Sequence, residues 1–94
     1  MNKCLRIIIS ASYSGDLLRN FIQKNARQLG LEGTAQLINS EQKKIRISIC
    51  GHGEKLDQFV DLLHKGTKGF DLKDIEIEPF LKDKDYRSVF RIIE

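Results

Sequence analysis

The residues with the clearest chemical potential form one short stretch, "SYSGDLLRNF", from Ser12 to Phe21. It follows an apolar β-branched run and leads into a helix-like pattern. Ser14 and Gly15 are small, and glycine supplies the left-handed backbone with which a loop turns successive N–H groups toward an anion. Asp16, Leu17 and Leu18 then open the helix, whose N-terminus carries partial positive charge. Arg19 adds a permanently charged planar fork that matches phosphate oxygens. Asp16 works against such a site. Its simplest role is a helix N-cap, accepting bonds from the N–H groups that a phosphate would want. At about 4 Å from phosphate its carboxylate would repel each charge by roughly 4 kcal/mol at an effective dielectric near 20.

Other reactive side chains are sparse. Cys4 and Cys50 form no CxxC pair and have no histidine at metal-ligand spacing. They read as reduced thiols used as small apolar fillers in a cytoplasm. His52 belongs to the "GHG" that leads into a helix. His64 lies in that helix's last turn, where a cation is mildly favoured. Neither histidine has a carboxylate or cysteine constellation around it, so no metal site and no cofactor are expected. "EQKK" and "KDKD" read as solvated loops, and Tyr13 and Tyr86 as packing or rim residues.

These residues must be positioned by alternating strands and helices. "CLRIIISA" (4–11) is a β-branched run and reads as a first strand. Leu18, Phe21, Ile22, Ala26 and Leu29 recur at helical spacing, which predicts a helix over 17–29 ended by Gly30 at C′. "GTAQLIN" (33–39) reads as the second strand. "KIRISIC" (44–50) alternates strictly, with Ile45, Ile47 and Ile49 on one side, as a half-buried third strand should. Leu56, Phe59, Val60 and Leu63 give a second apolar stripe and a helix over 54–65. "LKDIEIEPF" (72–80) alternates again, with Ile75 and Ile77 opposite Asp74, Glu76 and Glu78. Pro79 ends this fourth strand or marks an edge. "SVFRII" (88–93) makes a short last strand.

The order is βαββαβ plus a terminal strand. A single antiparallel sheet with both helices on one face buries these stripes most economically. The fold expected is therefore an α/β, or α+β, sandwich of ferredoxin-like type, with residues 1–94 as one domain. In it the first and third strands are central antiparallel neighbours. Cys4 and Cys50 then share the face opposite the isoleucines, close together, and are expected as free thiols.

Bulk properties fit this picture. The chain has 94 residues, 40% apolar and 31% charged, with a net charge of +3. A single thin core is feasible at this length. No run is long or apolar enough to span a bilayer, and the N-terminal apolar block reads as a strand rather than a signal peptide. The mild positive charge favours anionic ligands weakly and does not demand nucleic acid.

Taken together, these residues resemble the acylphosphatases. Members of that family read strand, G-x-V-Q-G-V-G-F-R, a helix with an alanine near its end, then L-G-L-x-G-W-V-x-N. "ASYSGDLLRNFIQKNARQLGLEGTAQL" matches this register without a gap. Gly15 falls on the loop glycine after glutamine, Arg19 on the arginine, Ala26 on the helix alanine, and "LGLEG" (29–33) on L-G-L-x-G. "GEKLDQFVDLLHKG" is similar to the second helix, and "VFRI" to the closing F-x-I. The departures fall on the chemistry. Ala11 replaces a glycine, Ser14 glutamine, Asp16 valine, Leu17 a glycine and Leu18 phenylalanine. The family's asparagine on the second strand falls on Leu37.

The resemblance implies a small cytoplasmic enzyme, without a metal or cofactor, hydrolysing the carboxyl–phosphate bond of acyl phosphates. It implies a phosphate-binding loop at Ser14, Gly15, Asp16, Leu17 and Leu18, with Arg19 as phosphate ligand. Asn39 is the one candidate substitute for the asparagine missing at 37. Alternation gives it the parity of Leu37, but about 7 Å further along the strand, where it reads equally as a turn residue before "SEQ". A weak or inactive hydrolase, or a module of this fold that binds only an anion or a partner, is the competing reading. A nucleic-acid module ranks third. Its open sheet face would carry Arg6, Ile8, Ser10, Arg46, Ser48 and Cys50, with no aromatic for stacking bases. The expected partner is a small acyl phosphate or inorganic anion. Membrane and nucleic acid are not expected, and the chain is expected to be a monomer.

Overall fold

The computed structural model describes residues 2–13, 17–39, 44–65, 70–81 and 89–93; for residues 2, 11–13, 17, 37, 39 and 70–74 it is the backbone position that is described. Five strands and two helices alternate as β1 (Asn2–Tyr13), α1 (Leu17–Gln28), β2 (Glu32–Asn39), β3 (Lys44–His52), α2 (Gly53–Lys65), β4 (Phe70–Pro79) and β5 (Phe90–Ile93). The sheet order is β4-β1-β3-β2-β5. The first four strands pair antiparallel in the ferredoxin-like arrangement. β5 runs parallel to β2 at the sheet edge, with Gly33 opposite Phe90, so the sheet is mixed.

Side-chain alternation divides the sheet into a covered and an open face. Ile7, Ile9, Ile45, Ile47 and Ile49 are buried on one face. Against them lie Leu18, Ile22 and Ala26 of α1, and Leu56, Phe59 and Leu63 of α2, in one cluster completed by Leu31, Ala35 and Phe90. Helical residues three and four apart share a face, which is why these spacings bury together. Removing a ring such as Phe59 from this cluster costs about 3–5 kcal/mol.

The end of α1 is closed by its own backbone. Leu31 N–H donates to the Ala26 carbonyl and Gly30 N–H to that of Arg27. This is the two-bond Schellman closure, with Gly30 in left-handed backbone at φ 70°. The chain then enters β2 beside β5, where Gly33 N–H donates to the Val89 carbonyl.

Two expectations about the open face are corrected. Cys4 and Cys50 are not free thiols; they form a disulfide between β1 and β3. They occupy directly facing positions in the register, with Cα atoms 4.1 Å apart, close to the separation of a non-hydrogen-bonded antiparallel pair. The face also carries an aromatic ring. Phe80, which continues the Glu76–Glu78 side of β4, stacks under the Arg6 guanidinium at 4.8 Å from its centroid. Arg6 also approaches Glu78 at 3.9 Å.

Candidate functional site

Topology gathers the residues singled out by sequence at one end of the sheet. β1 and β2 both run antiparallel to β3, so their C-terminal ends lie together. α1 starts from the same end, directly after β1. The first turn of α1 and the last residues of β2 therefore share this rim.

Within that turn, Leu17 opens the helix. Leu18 is fully buried in the core. Its side chain anchors the turn against the sheet, so its offering to an anion is its backbone N–H. The N–H groups of a first turn have no intrahelical partner and point out of the helix end. Arg19 follows at about 100° around the helix from Leu18, half-buried on the flank of the helix. A fixed Leu18 thus fixes the base from which Arg19 reaches. Ser14, Gly15 and Asp16 lie outside the described residues.

On β2, Leu37 pairs with Ile45, whose side chain is buried on the helix-covered face. Asn39 pairs with the next residue back, Lys44. Two steps on β2 therefore answer one step on β3, which makes Ile38 the extra residue of a β-bulge. Ile38 is exposed. This bulge removes the parity argument that put residues 37 and 39 on one face. In register, Asn39 stands opposite Lys44, which itself faces Ser10 of β1. A second irregularity lies at the same end, between Ser10 and Ala11 in the β1–β4 ladder. Bulges gather beside functional sites because they re-aim side chains. Sequence reasoning had no signal for either bulge.

Among the described residues, no group of three or more His, Cys, Asp or Glu is gathered to hold a metal ion. None of their helices is long and apolar enough to cross a membrane.

The described rim thus holds the first turn of α1, with Arg19 in it, beside the C-terminal ends of β1 and β2. A family model of acylphosphatases matches residues 15–92. The chain belongs to the acylphosphatase family. An acylphosphatase of Dehalococcoides mccartyi strain CBDB1 is 32% identical over 89 residues, covering 95% of this chain and 96% of that protein. Among solved structures, the Bacillus subtilis acylphosphatase superposes with a TM-score of 0.84 at 23% identity, covering all of both chains. The Coxiella burnetii acylphosphatase gives 0.83 at 22% identity, over 98% of this chain and 93% of its own. At these identities the structural likeness shows a shared fold.

Proposed function

We propose that this acylphosphatase-family chain hydrolyses small acyl phosphates at the rim where β1 passes into α1. The observation that carries the reading is Arg19 in the first turn of α1, at the motif's arginine position, in a turn whose N–H groups have no partner within the helix itself. Ser14, Gly15, Asp16, Leu17 and Leu18 form the phosphate loop in this proposal, through their backbones. Arg19 pairs with the non-bridging phosphoryl oxygens and neutralises charge as it spreads over them. Water attacks phosphorus in line with the departing carboxylate. The P–O bond to the acyl group breaks, and the products are a carboxylate, inorganic phosphate and a proton. A carboxylate is a good leaving group, since its conjugate acid has a pKa near 4. The reaction therefore needs no general acid. Positioning and charge stabilisation are what the protein must supply, and a phosphate cradle supplies both.

Asn39 is proposed as the residue that orients the attacking water, in place of an asparagine at 37. The bulge at Ile38 supports this by giving residue 39 a register of its own. In the same proposal the chain acts as a monomeric domain, takes no metal, binds phosphate as product and does not bind nucleic acid. A cytoplasmic location follows from the substrate class, because acyl phosphates arise from ATP-driven activation of carboxylates; the cysteines no longer support it, being paired.

The test is hydrolysis of benzoyl phosphate by purified protein beside Arg19→Ala. Loss of about 10²–10³ in kcat/KM is expected, the usual effect of removing one charge-stabilising group. Chelator should leave the rate unchanged. No rate above buffer at high enzyme concentration overturns hydrolysis; if phosphate still binds in an Arg19-dependent way, the chain is an anion-binding module instead.

A further inference from the structure

β4 forms one edge of the sheet. It pairs with β1, and among the described residues no strand lies on its other side. Ladder geometry fixes which of its backbone groups look outward. Phe80 N–H donates to the Cys4 carbonyl. Bonded and non-bonded pairs alternate along an antiparallel ladder. Arg6 with Glu78 and Ile8 with Glu76 are therefore bonded pairs, while Ile7 with Ile77 and Ile9 with Ile75 are not. The N–H and C=O groups of Ile75 and Ile77 thus turn away from β1, toward the edge. Pro79 shares their phase but has no N–H, so it ends this run on one side. On the other side Ser10 pairs with Asp74 and Ala11 with Leu72, which makes Lys73 an inserted residue that bends the edge. Between these two stops lies a short regular stretch whose backbone can bond another strand.

The side chains state which strand fits. Glu76, Ile77 and Glu78 are exposed, Ile77 by 42%. Glu76 and Glu78 rise from the open face. Ile77 and Ile75 lie on the helix-covered face, Ile75 partly buried against the core. A second copy of β4 is a poor match. In the antiparallel registers that set Ile77 against Ile75 or Ile77 of another copy, Glu76 meets Glu76 or Glu78, and like charges directly opposite are destabilising. A strand with basic residues beside the carboxylates and apolar residues beside the isoleucines satisfies both faces at once.

We propose that residues 75–78 of β4 dock an extended segment of a partner protein in which apolar and basic residues alternate. The segment adds a further strand to the sheet. Its backbone bonds to Ile75 and Ile77, its Lys or Arg side chains pair with Glu76 and Glu78, and its apolar side chains cover Ile77. None of these residues takes part in the proposed hydrolysis, so the surface is independent of that reading.

The probe is the capped peptide acetyl-Lys-Val-Lys-Val-Lys-amide, titrated into isotope-labelled protein with amide hydrogen exchange as the readout. Near saturation, exchange at Ile75 and Ile77 should slow at least about fivefold, while Glu76 and Glu78, whose N–H groups already bond to β1, should change little. Added salt should weaken binding. Glu76→Lys should weaken it about fivefold, because an attraction becomes a repulsion. Ile77→Pro removes an outward N–H and should abolish protection at Ile75. Glu76→Lys alters only an exposed side chain, so the test stands even where Ile77→Pro fails to fold. Equal binding of acetyl-Glu-Val-Glu-Val-Glu-amide or of acetyl-Lys-Lys-Lys-Val-Val-amide, protection that spares Ile75 and Ile77, or no binding at millimolar peptide would overturn the proposal. Protection of Ile75 and Ile77 on concentrating the protein alone would assign the edge to a second copy and overturn the foreign-strand assignment.

Discussion

In the proposed hydrolysis the decisive question is which residue orients water, and two nearby positions on β2 are the candidates. Leu37 has no polar atom to offer. Its backbone pairs with Ile45, at a register position on the helix-covered face. Asn39 has an amide that can both donate and accept, and stands one bulge further on, opposite Lys44. If Asn39 orients the water, Asn39→Ala should lower kcat by about 10²–10³ with little change in KM. Leu37→Asn would then add little. If the function was lost with the asparagine at 37, the outcome reverses: Leu37→Asn gains up to about 10² and Asn39→Ala is silent. Steady-state kinetics of the two single variants decide between these patterns. Either result also reports on the proposed phosphate loop, since water orientation matters only where phosphate is held.

At the scale of elements, the joint between α1 and β2 depends on two glycines that fail differently. Gly30 has φ 70°, and a methyl group added there meets nothing within 4 Å. Gly30→Ala should therefore cost only the left-handed backbone penalty, about 1–2 kcal/mol. Gly33 has φ 141° and lies in β2 against the backbone of Ser48 and Ile49, which an added methyl would strike. Backbone atoms in a central ladder cannot step aside as a flexible side chain can. Gly33→Ala should exceed the roughly 1–3 kcal/mol of a strained backbone conformation, and urea midpoints of the two variants should rank accordingly. The Gly30 stop was legible from sequence because a C′ glycine follows a stripe at helical spacing. The helices and the antiparallel strands were legible for the same reason: burial on one face imposes a period. The direction of β5 was not, since four residues at an edge carry no long pattern. Nor was the bulge at Ile38, because an inserted residue leaves the composition of β2 unchanged. Phe80 escaped notice at the end of a strand whose alternation was followed only to Glu78. The facing of Cys4 and Cys50 followed from topology alone, whereas their bond depends on a backbone approach of 4.1 Å that no spacing reports.

Across the whole molecule, the disulfide and the proposed anion site divide the sheet between them. The bridge joins residues 46 apart and encloses α1 and β2, the elements that carry Arg19 and Asn39. Closing a loop of that size stabilises a chain by about 4 kcal/mol in the chain-entropy account. Small domains are stable by only about 5–15 kcal/mol, so reduction should remove a large share of the total. For a domain of this size each kcal/mol moves the melting temperature by about 4–8 °C, which predicts a fall of roughly 15–30 °C on reduction. The rate at 25 °C should respond differently. Cys4 and Cys50 lie at the end of the β1–β3 ladder opposite Ser10 and Lys44, where the β1–α1 rim begins. The isoleucines that fix the rim's strands stay buried whether or not the sulfurs are joined, because their packing is set by both helices. Reduced protein that remains folded should therefore hydrolyse acyl phosphate with unchanged kcat/KM while melting far lower. Thermal unfolding and benzoyl phosphate kinetics, each with and without reductant and with a Cys4→Ser/Cys50→Ser control, separate the two quantities. A fall in kcat/KM at 25 °C that parallels the loss of stability would mean that the bridge holds the active rim itself, and that the two ends of the sheet are coupled through β1.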